Sequence, residues 1–274
     1  MSELPPAAKR VRMPTPEHPL RLYNCECIPA MQQLPAESFD ACITDPPYGI
    51  GFSSMQRTVN TEGFDKVLND ERPYVWWLNE AGRLLKEGGC LICFTRWDVA
   101  EAFRLAIGWA GLEVKAELVW DKDIHSMGDL QGAPGFAHEV AWFAAKGRYK
   151  FPKGGKRPTS VLRHRRCEGK GMRHPTQKPE SLMQDLILQY TARGSTILEP
   201  FGGSGVTGLT AYKQGRYCFL TELDPRHYEG AVTEYEEILA QEDAGSRPPP
   251  DFSPRPDYPD EPLIAAPPAG GKKK

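Results

Sequence analysis

Apolar positions along the chain fall into short, strand-sized runs, separated by longer stretches whose apolar residues recur every three or four positions. The runs predict strands over 40–44, 90–95, 116–120, 140–144, 195–198 and 217–221. The longer periodicity predicts helices over 74–85, 99–110, 180–193, 206–214 and 226–239. The third of these opens behind Pro179 and closes before Gly194, with Leu182, Met183, Leu186, Ile187 and Tyr190 on one face. Gly88-Gly89, Gly111 and Gly215 stop three others. Strands that alternate with helices predict an α/β fold with a doubly wound, mostly parallel sheet. Ligands of such sheets bind outside the carboxyl ends of the strands, so the residues just after each strand carry the chemistry.

The ends of the chain lack this pattern. Residues 1–19 hold five prolines, and residues 241–274 are Pro-rich and acidic before closing on Lys272–Lys274. Neither stretch carries enough apolar surface to offset chain entropy, so both are expected to be unstructured tails around a domain at 20–240. Among 274 residues, 34 Lys+Arg stand against 36 Asp+Glu, with 40% hydrophobic, an ordinary balance for a globular protein. No run approaches the roughly 18 apolar residues of a membrane span, and no apolar segment near the start resembles a secretory signal. The seven cysteines are odd in number and scattered, which suits a reducing compartment rather than a disulfide framework. Cys90 and Cys93 match a CxxC spacing, but on a strand they point to opposite faces and cannot grip one metal. No other cluster has ligand spacing, so no metal is expected.

Charge is unevenly placed. Between Lys146 and Lys178 there are twelve Lys or Arg and a single acid, Glu168, a local net of +11. Threaded with Gly and Pro, this segment reads as a loop or small subdomain facing a polyanion. Its residues Lys153, Lys156, Arg157, Arg163, Arg165, Arg166 and Arg173 are the candidate nucleic-acid contacts.

Two strand ends carry chemistry. Asp45-Pro46-Pro47-Tyr48-Gly49 directly follows the first predicted strand. Paired prolines fix their own φ and lack N–H donors, so the segment is stiff and presents carbonyls beside an acid and an aromatic face. That set suits a planar ring bearing an amino group: Asp45 and the Pro46 carbonyl accept its N–H bonds while Tyr48 stacks on it. The second is Glu199-Pro200-Phe201-Gly202-Gly203-Ser204-Gly205, between a strand and a helix, where glycines allow a sharp turn and close approach to a ligand. Glu222, ending the next strand, is placed to accept ribose hydroxyls. Gly203-Ser-Gly205-Val-Thr-Gly208 also matches the dinucleotide pattern, so by itself it fits NAD as readily as another adenosine ligand.

Together these motifs resemble the beta class of S-adenosylmethionine-dependent DNA amino-methyltransferases, whose catalytic motif precedes the cofactor motif in a circularly permuted order. The likeness spans 21 to about 239. It rests on Asp45-Pro-Pro-Tyr48, Phe201-Gly-Gly-Ser-Gly205, Glu222 and His174-Pro-Thr-Gln-Lys-Pro179. Tyr23-Asn-Cys-Glu-Cys27 resembles the family's Asn-Gly-Asp-Cys near the adenine, with Cys25 for Gly and Glu26 for Asp. The resemblance implies a Rossmann-like methyltransferase fold and catalysis by Asp45, Pro46, Pro47 and Tyr48. It implies cofactor contacts from Glu26, Gln177, Lys178, Glu199, Phe201, Gly202, Gly203, Ser204, Gly205 and Glu222, and it makes 147–173 the target-recognition insertion. It further implies double-stranded DNA as substrate, with a second copy of the chain and a cognate restriction enzyme as further partners. The place implied is a bacterial cytoplasm, the gene being bacterial or that of a virus in such a host. Asp at the first motif position favours adenine N6 over cytosine N4. A NAD-dependent oxidoreductase is the alternative from another class, and it leaves Asp45–Tyr48 unexplained.

Overall fold

A strand that is apolar on both sides has to be covered on both sides, and the central strands here are of that kind. The computed structural model describes residues 10–49, 73–124, 132, 134–152, 157–167 and 177–254. Its strands are β1 (Leu20–Asn24), β2 (Phe39–Thr44), β3 (Leu85–Thr95), β4 (Glu113–Asp121), β5 (His138–Ala145), β6 (Val161–Arg163), β7 (Thr196–Glu199) and β8 (Tyr217–Glu222). They form one sheet in the order β1-β8-β7-β2-β3-β5-β4-β6. On β2 and β3, Ala41, Ile43, Cys90 and Ile92 face one apolar layer, and Cys42, Leu91 and Cys93 the other. The first layer is closed by α4 (Glu180–Tyr190), α5 (Val206–Lys213) and α6 (Pro225–Asp243). The second is closed by α1 (Cys27–Met31), α2 (Leu78–Leu84) and α3 (Ala100–Trp109). The expected doubly wound α/β fold is therefore the observed one. Cys90 and Cys93 lie in opposite layers, as alternation requires, and all seven cysteines are free.

Several local expectations change. Strand β5 runs antiparallel between β3 and β4, although the rest of the sheet is parallel. A strand that returns directly beside its predecessor has to be antiparallel, and apolar patterning does not reveal direction. Gly88-Gly89 does not end a helix: α2 stops at Leu84 and both glycines lie inside β3, where Gly88 has φ +80°. The short elements β1, α1 and β6 had no apolar run to announce them.

The ends were expected to be unstructured, yet residues 10–19 and 241–254 pack on the domain. Val11 is buried, Thr15 and His18 form a bridge, and Leu20 enters the core. At the other end α6 continues to Asp243. Beyond it Phe252 lies against Tyr217 with ring centroids 4.8 Å apart, and Asp251 pairs with Arg193 at 2.7 Å. A single aromatic anchor holds a Pro-rich segment that forms no regular structure. Gly215 permits this approach, because a Cβ there would lie 2.0 Å from the Asp251 carbonyl oxygen. Residues 1–9 and 255–274 lie outside the described residues. No described helix is long and apolar enough to cross a membrane.

Candidate active site

The sheet order reverses between β2 and β7: β3 lies on one side of this pair, β8 and β1 on the other. Asp45 follows β2, and Glu199 ends β7, so the two motifs read from the sequence stand side by side at the switch point of the sheet. Thr44 Oγ1 donates to Glu199 Oε1 at 2.5 Å and joins them directly. Glu199 is buried and also accepts from the Phe201 N–H at 3.0 Å. Burial pushes its pKa up to about 8 despite these donors.

On the catalytic side, both Asp45 oxygens are engaged. The Tyr48 hydroxyl donates to Oδ1, and the Lys178 ammonium donates to Oδ2. Lys178 was expected to contact the cofactor; its Nζ also sits 3.1 Å from Glu139 Oε2 and 4.9 Å from the centroid of the Phe94 ring. Glu139 in turn pairs with Lys122 at 2.5 Å. Burial pushes the Asp45 pKa up and Lys178 opposes it. For Glu139, burial also acts upward, but the two lysines outweigh it and hold the carboxyl below its usual range. The Tyr48 ring packs edge-on against Phe103, and the Pro47 carbonyl accepts from the Tyr74 N–H, which together hold the Pro47–Tyr48 end of the loop.

On the other side of the switch point, Gly202 is pressed against the core: a Cβ there would lie 2.3 Å from Leu220 Cδ2. Gly203 has φ +52° with open space where a side chain would be, so the loop presents bare backbone to its surroundings. The Glu222 carboxylate accepts from the Gly203 N–H at 2.6 Å and from the Asp224 N–H at 2.7 Å. Glu26 caps α1 through the Ile28 N–H and accepts from the Tyr74 hydroxyl at 2.8 Å. Phe201 packs edge-on between Tyr74 and Trp77. Glu26, Phe201, Gly202, Gly203, Ser204, Gly205 and Glu222 thus line adjacent strand ends from β1 to β7. Gln177 is half-buried just ahead of Lys178. This wall, with open backbone at Gly203 and a carboxylate at the end of β8, fits an adenosine ligand.

The basic segment continues the same rim on the acceptor side. Because β6 runs parallel to β4, with Asp121 opposite Arg163, the exposed Arg163, Arg165 and Arg166 leave the sheet at its carboxyl edge. The Trp120 indole donates to the His164 carbonyl at 2.6 Å and ties this turn down. Arg157 is exposed too, while Lys153, Lys156 and Arg173 lie outside the described residues. Trp97, just past β3, is 60% exposed and stacks on Phe136 with ring centroids 5.7 Å apart.

The sequence did not mark Lys122, Glu139, Tyr74 or Trp77 as site residues. Glu139 left one usable signal: an acid at the head of a strand that is otherwise apolar needs a buried partner. The others depend on which loops the topology brings together.

Residues 39–233 match the family described as DNA methylase (N6_N4_Mtase). The putative methylase YubD of Escherichia coli (strain K12) is 32% identical over 212 residues, covering 77% of this chain and 88% of that protein. The type II methyltransferase M.HinfI of Haemophilus influenzae is 27% identical over 248 residues, covering 78% and 67%. Among solved structures, the M1.HpyAVI–SAM complex has a TM-score of 0.60 at 22% identity, covering 78% of this chain and 98% of that one. The cytosine-N4-specific PvuII DNA methyltransferase has a TM-score of 0.61 at 16% identity, covering 85% and 93%. The structures support the fold; the family match removes the oxidoreductase reading of Gly203–Gly208. The chain belongs to the DNA methylase family and is an S-adenosylmethionine-dependent DNA methyltransferase.

Proposed function

We propose that the enzyme methylates the exocyclic N6 of adenine in double-stranded DNA, with Asp45 acting on the acceptor amine. The observation that carries this reading is the Asp45–Tyr48 loop at the switch point, one strand from the wall assigned to the cofactor. The fold is shared with a cytosine-N4-specific enzyme, so the choice of base rests on Asp at position 45.

The lone pair of an exocyclic amine is delocalised into its ring, which makes it a poor nucleophile. Asp45 Oδ1 and the Pro46 carbonyl accept its two hydrogens and favour a tetrahedral nitrogen with its lone pair aimed at the methyl group. For this the Tyr48 hydroxyl has to leave Oδ1, and the freed ring stacks on the base. S-adenosylmethionine supplies a methyl group on a sulfonium, which departs as a neutral thioether. Asp45 is too weak a base to deprotonate a neutral amine beforehand. The nitrogen therefore sheds its proton during or after N–C bond formation, and burial, which pushes Asp45 up, makes its carboxylate a better acceptor for it. The residues mainly position and polarise.

A paired base hides its amine, so the adenine is flipped out of the duplex toward Tyr48. The segment 147–173 holds the backbone through Arg157, Arg163, Arg165 and Arg166, with Lys153, Lys156 and Arg173 as further contacts. Glu26, Gln177, Lys178, Glu199, Phe201, Gly202–Gly205 and Glu222 hold the cofactor. Leu105 and Trp109, exposed and one turn apart on α3, support pairing with a second copy. Bacterial relatives support a bacterial cytoplasm, with the gene bacterial or viral, and a cognate restriction enzyme as counterpart. The test is Asp45→Ala: methyl transfer to DNA should vanish while calorimetric cofactor affinity stays within about threefold. Near-normal turnover in that variant would remove Asp45 from the mechanism.

A further inference from the structure

Behind Asp45 lies a line of alternating charges drawn from four separate parts of the fold. Lys122 follows β4, Glu139 opens β5, Lys178 stands just before α4, and Asp45 follows β2. Lys122 pairs with Glu139 at 2.5 Å, Glu139 with Lys178 at 3.1 Å, and Lys178 with Asp45. Two ammoniums and two carboxylates sum to zero, and Lys178 at the centre is only 4% exposed. Burial costs such an ammonium its hydration, and among the described residues its two carboxylates and the face of Phe94 compensate. A half-buried ion line around one fully buried ammonium adds little to stability, since apolar packing could replace it. Its far end is the carboxylate that meets the acceptor amine.

We propose that Glu139 is a positioning residue for methyl transfer: it draws part of the Lys178 charge away from Asp45 and so fixes where the Asp45 carboxylate sits and how freely it can accept from the amine. This rests on the reading of Asp45 given above. Without Glu139, Lys178 keeps Asp45 as its counter-ion among the described residues and closes fully on it, competing with the amine for the same oxygens. Without Lys178, Asp45 and Glu139 are neighbouring carboxylates with nothing between them. The two losses act on Asp45 in opposite senses. Glu139 raises the Asp45 pKa and Lys178 lowers it; Tyr48 on its own loop, Cys93 on β3 and Glu199 on β7 face the same cluster and stay unchanged in either case.

The experiment is the pH dependence of single-turnover methyl transfer to DNA, with the full chain and saturating S-adenosylmethionine, for wild type, Glu139→Gln and Lys178→Met. Glu139→Gln should lower the plateau rate by about tenfold or more, the scale expected for a displaced reacting group. Its acid limb should move to lower pH. Lys178→Met should move the acid limb to higher pH. Should Glu139→Gln fail to fold, Lys122→Met reports from the outer end. It leaves the Glu139 charge uncompensated on that side, and the acid limb should move upward. A Glu139 variant with wild-type rate and profile overturns the inference, as do Glu139→Gln and Lys178→Met limbs that move the same way, a Lys122→Met limb that stays put or moves down, or a rate loss that only tracks the melting temperature. Asp45→Ala separates the two levels. If it still transfers methyl groups, the reading of Asp45 fails. If it is inactive while Glu139→Gln behaves as wild type, only the role of Glu139 fails.

Discussion

Glu222 serves two structures at once, and substituting it separates them. Its carboxylate accepts the Gly203 and Asp224 N–H groups at 2.6 and 2.7 Å, and its backbone carbonyl accepts from Asn24 Nδ2 at 2.9 Å. Each oxygen keeps a further lone pair for a ribose hydroxyl. Hydrogen bonds to a charged group contribute roughly 1.5–3 kcal/mol each. Water replaces part of what is lost at this half-buried rim, so Glu222→Ala should weaken cofactor binding by about 2–4 kcal/mol, or roughly 30- to 1,000-fold in Kd. The same change leaves two backbone donors to solvent and should cost about 1–3 kcal/mol of stability, at roughly 2–4 °C per kcal/mol for a domain of this size. Glu222→Gln keeps one acceptor oxygen and turns an amide donor toward the other N–H, so it should fall between. Titration calorimetry with S-adenosylmethionine reads the first effect and thermal unfolding the second. A Glu222→Ala protein that melts early but binds cofactor within twofold of wild type would show that the carboxylate only shapes the loop, and the cofactor would have to lie elsewhere.

Two more outcomes follow from particular groups. Glu199, raised by burial from 4.5 to about 8, is protonated in the folded chain and ionised in the unfolded one between those values. Unfolding there releases a proton, so stability should fall as pH rises from about 4.5 to 8, and Glu199→Gln, which mimics the protonated acid, should remove that component of the slope in urea titrations. An unchanged slope would mean Glu199 is ionised in the fold. Neutralising Arg163, Arg165 and Arg166 together should weaken DNA binding and lower its log–log salt slope by up to about three, one per phosphate contact, with cofactor affinity unaffected. Wild-type affinity and slope in that triple variant would take the basic segment off the DNA.

What the sequence made legible follows from how local each signal is. The Asp45–Tyr48 and Glu199–Gly205 segments encode their own backbone shape through proline and glycine, so both were readable without a fold, and the strand runs placed them at carboxyl ends. The direction of β5 was not readable, because an apolar run looks the same either way. The helix expected to run to 85 stops at Leu84, since Gly88-Gly89 serves β3 rather than a helix end. Phe252 escaped notice because one aromatic in a Pro-rich stretch gives no periodicity, yet Tyr212 and Tyr217 hold it. The ion line from Lys122 to Asp45 was least visible of all. Its four members are far apart in the chain, and only the insertion of β5 beside β3 brings Glu139 to Lys178.

The measurement that bears most directly on the central claim is product analysis. Unmethylated duplex DNA is incubated with methyl-labelled S-adenosylmethionine and the wild-type chain, or its Asp45→Ala variant, then digested to nucleosides and separated. Label should appear in N6-methyladenine with the wild type and be absent with Asp45→Ala. Label in N4-methylcytosine would contradict the choice of base, and label that persists in the Asp45→Ala reaction would contradict the mechanism built on that carboxylate.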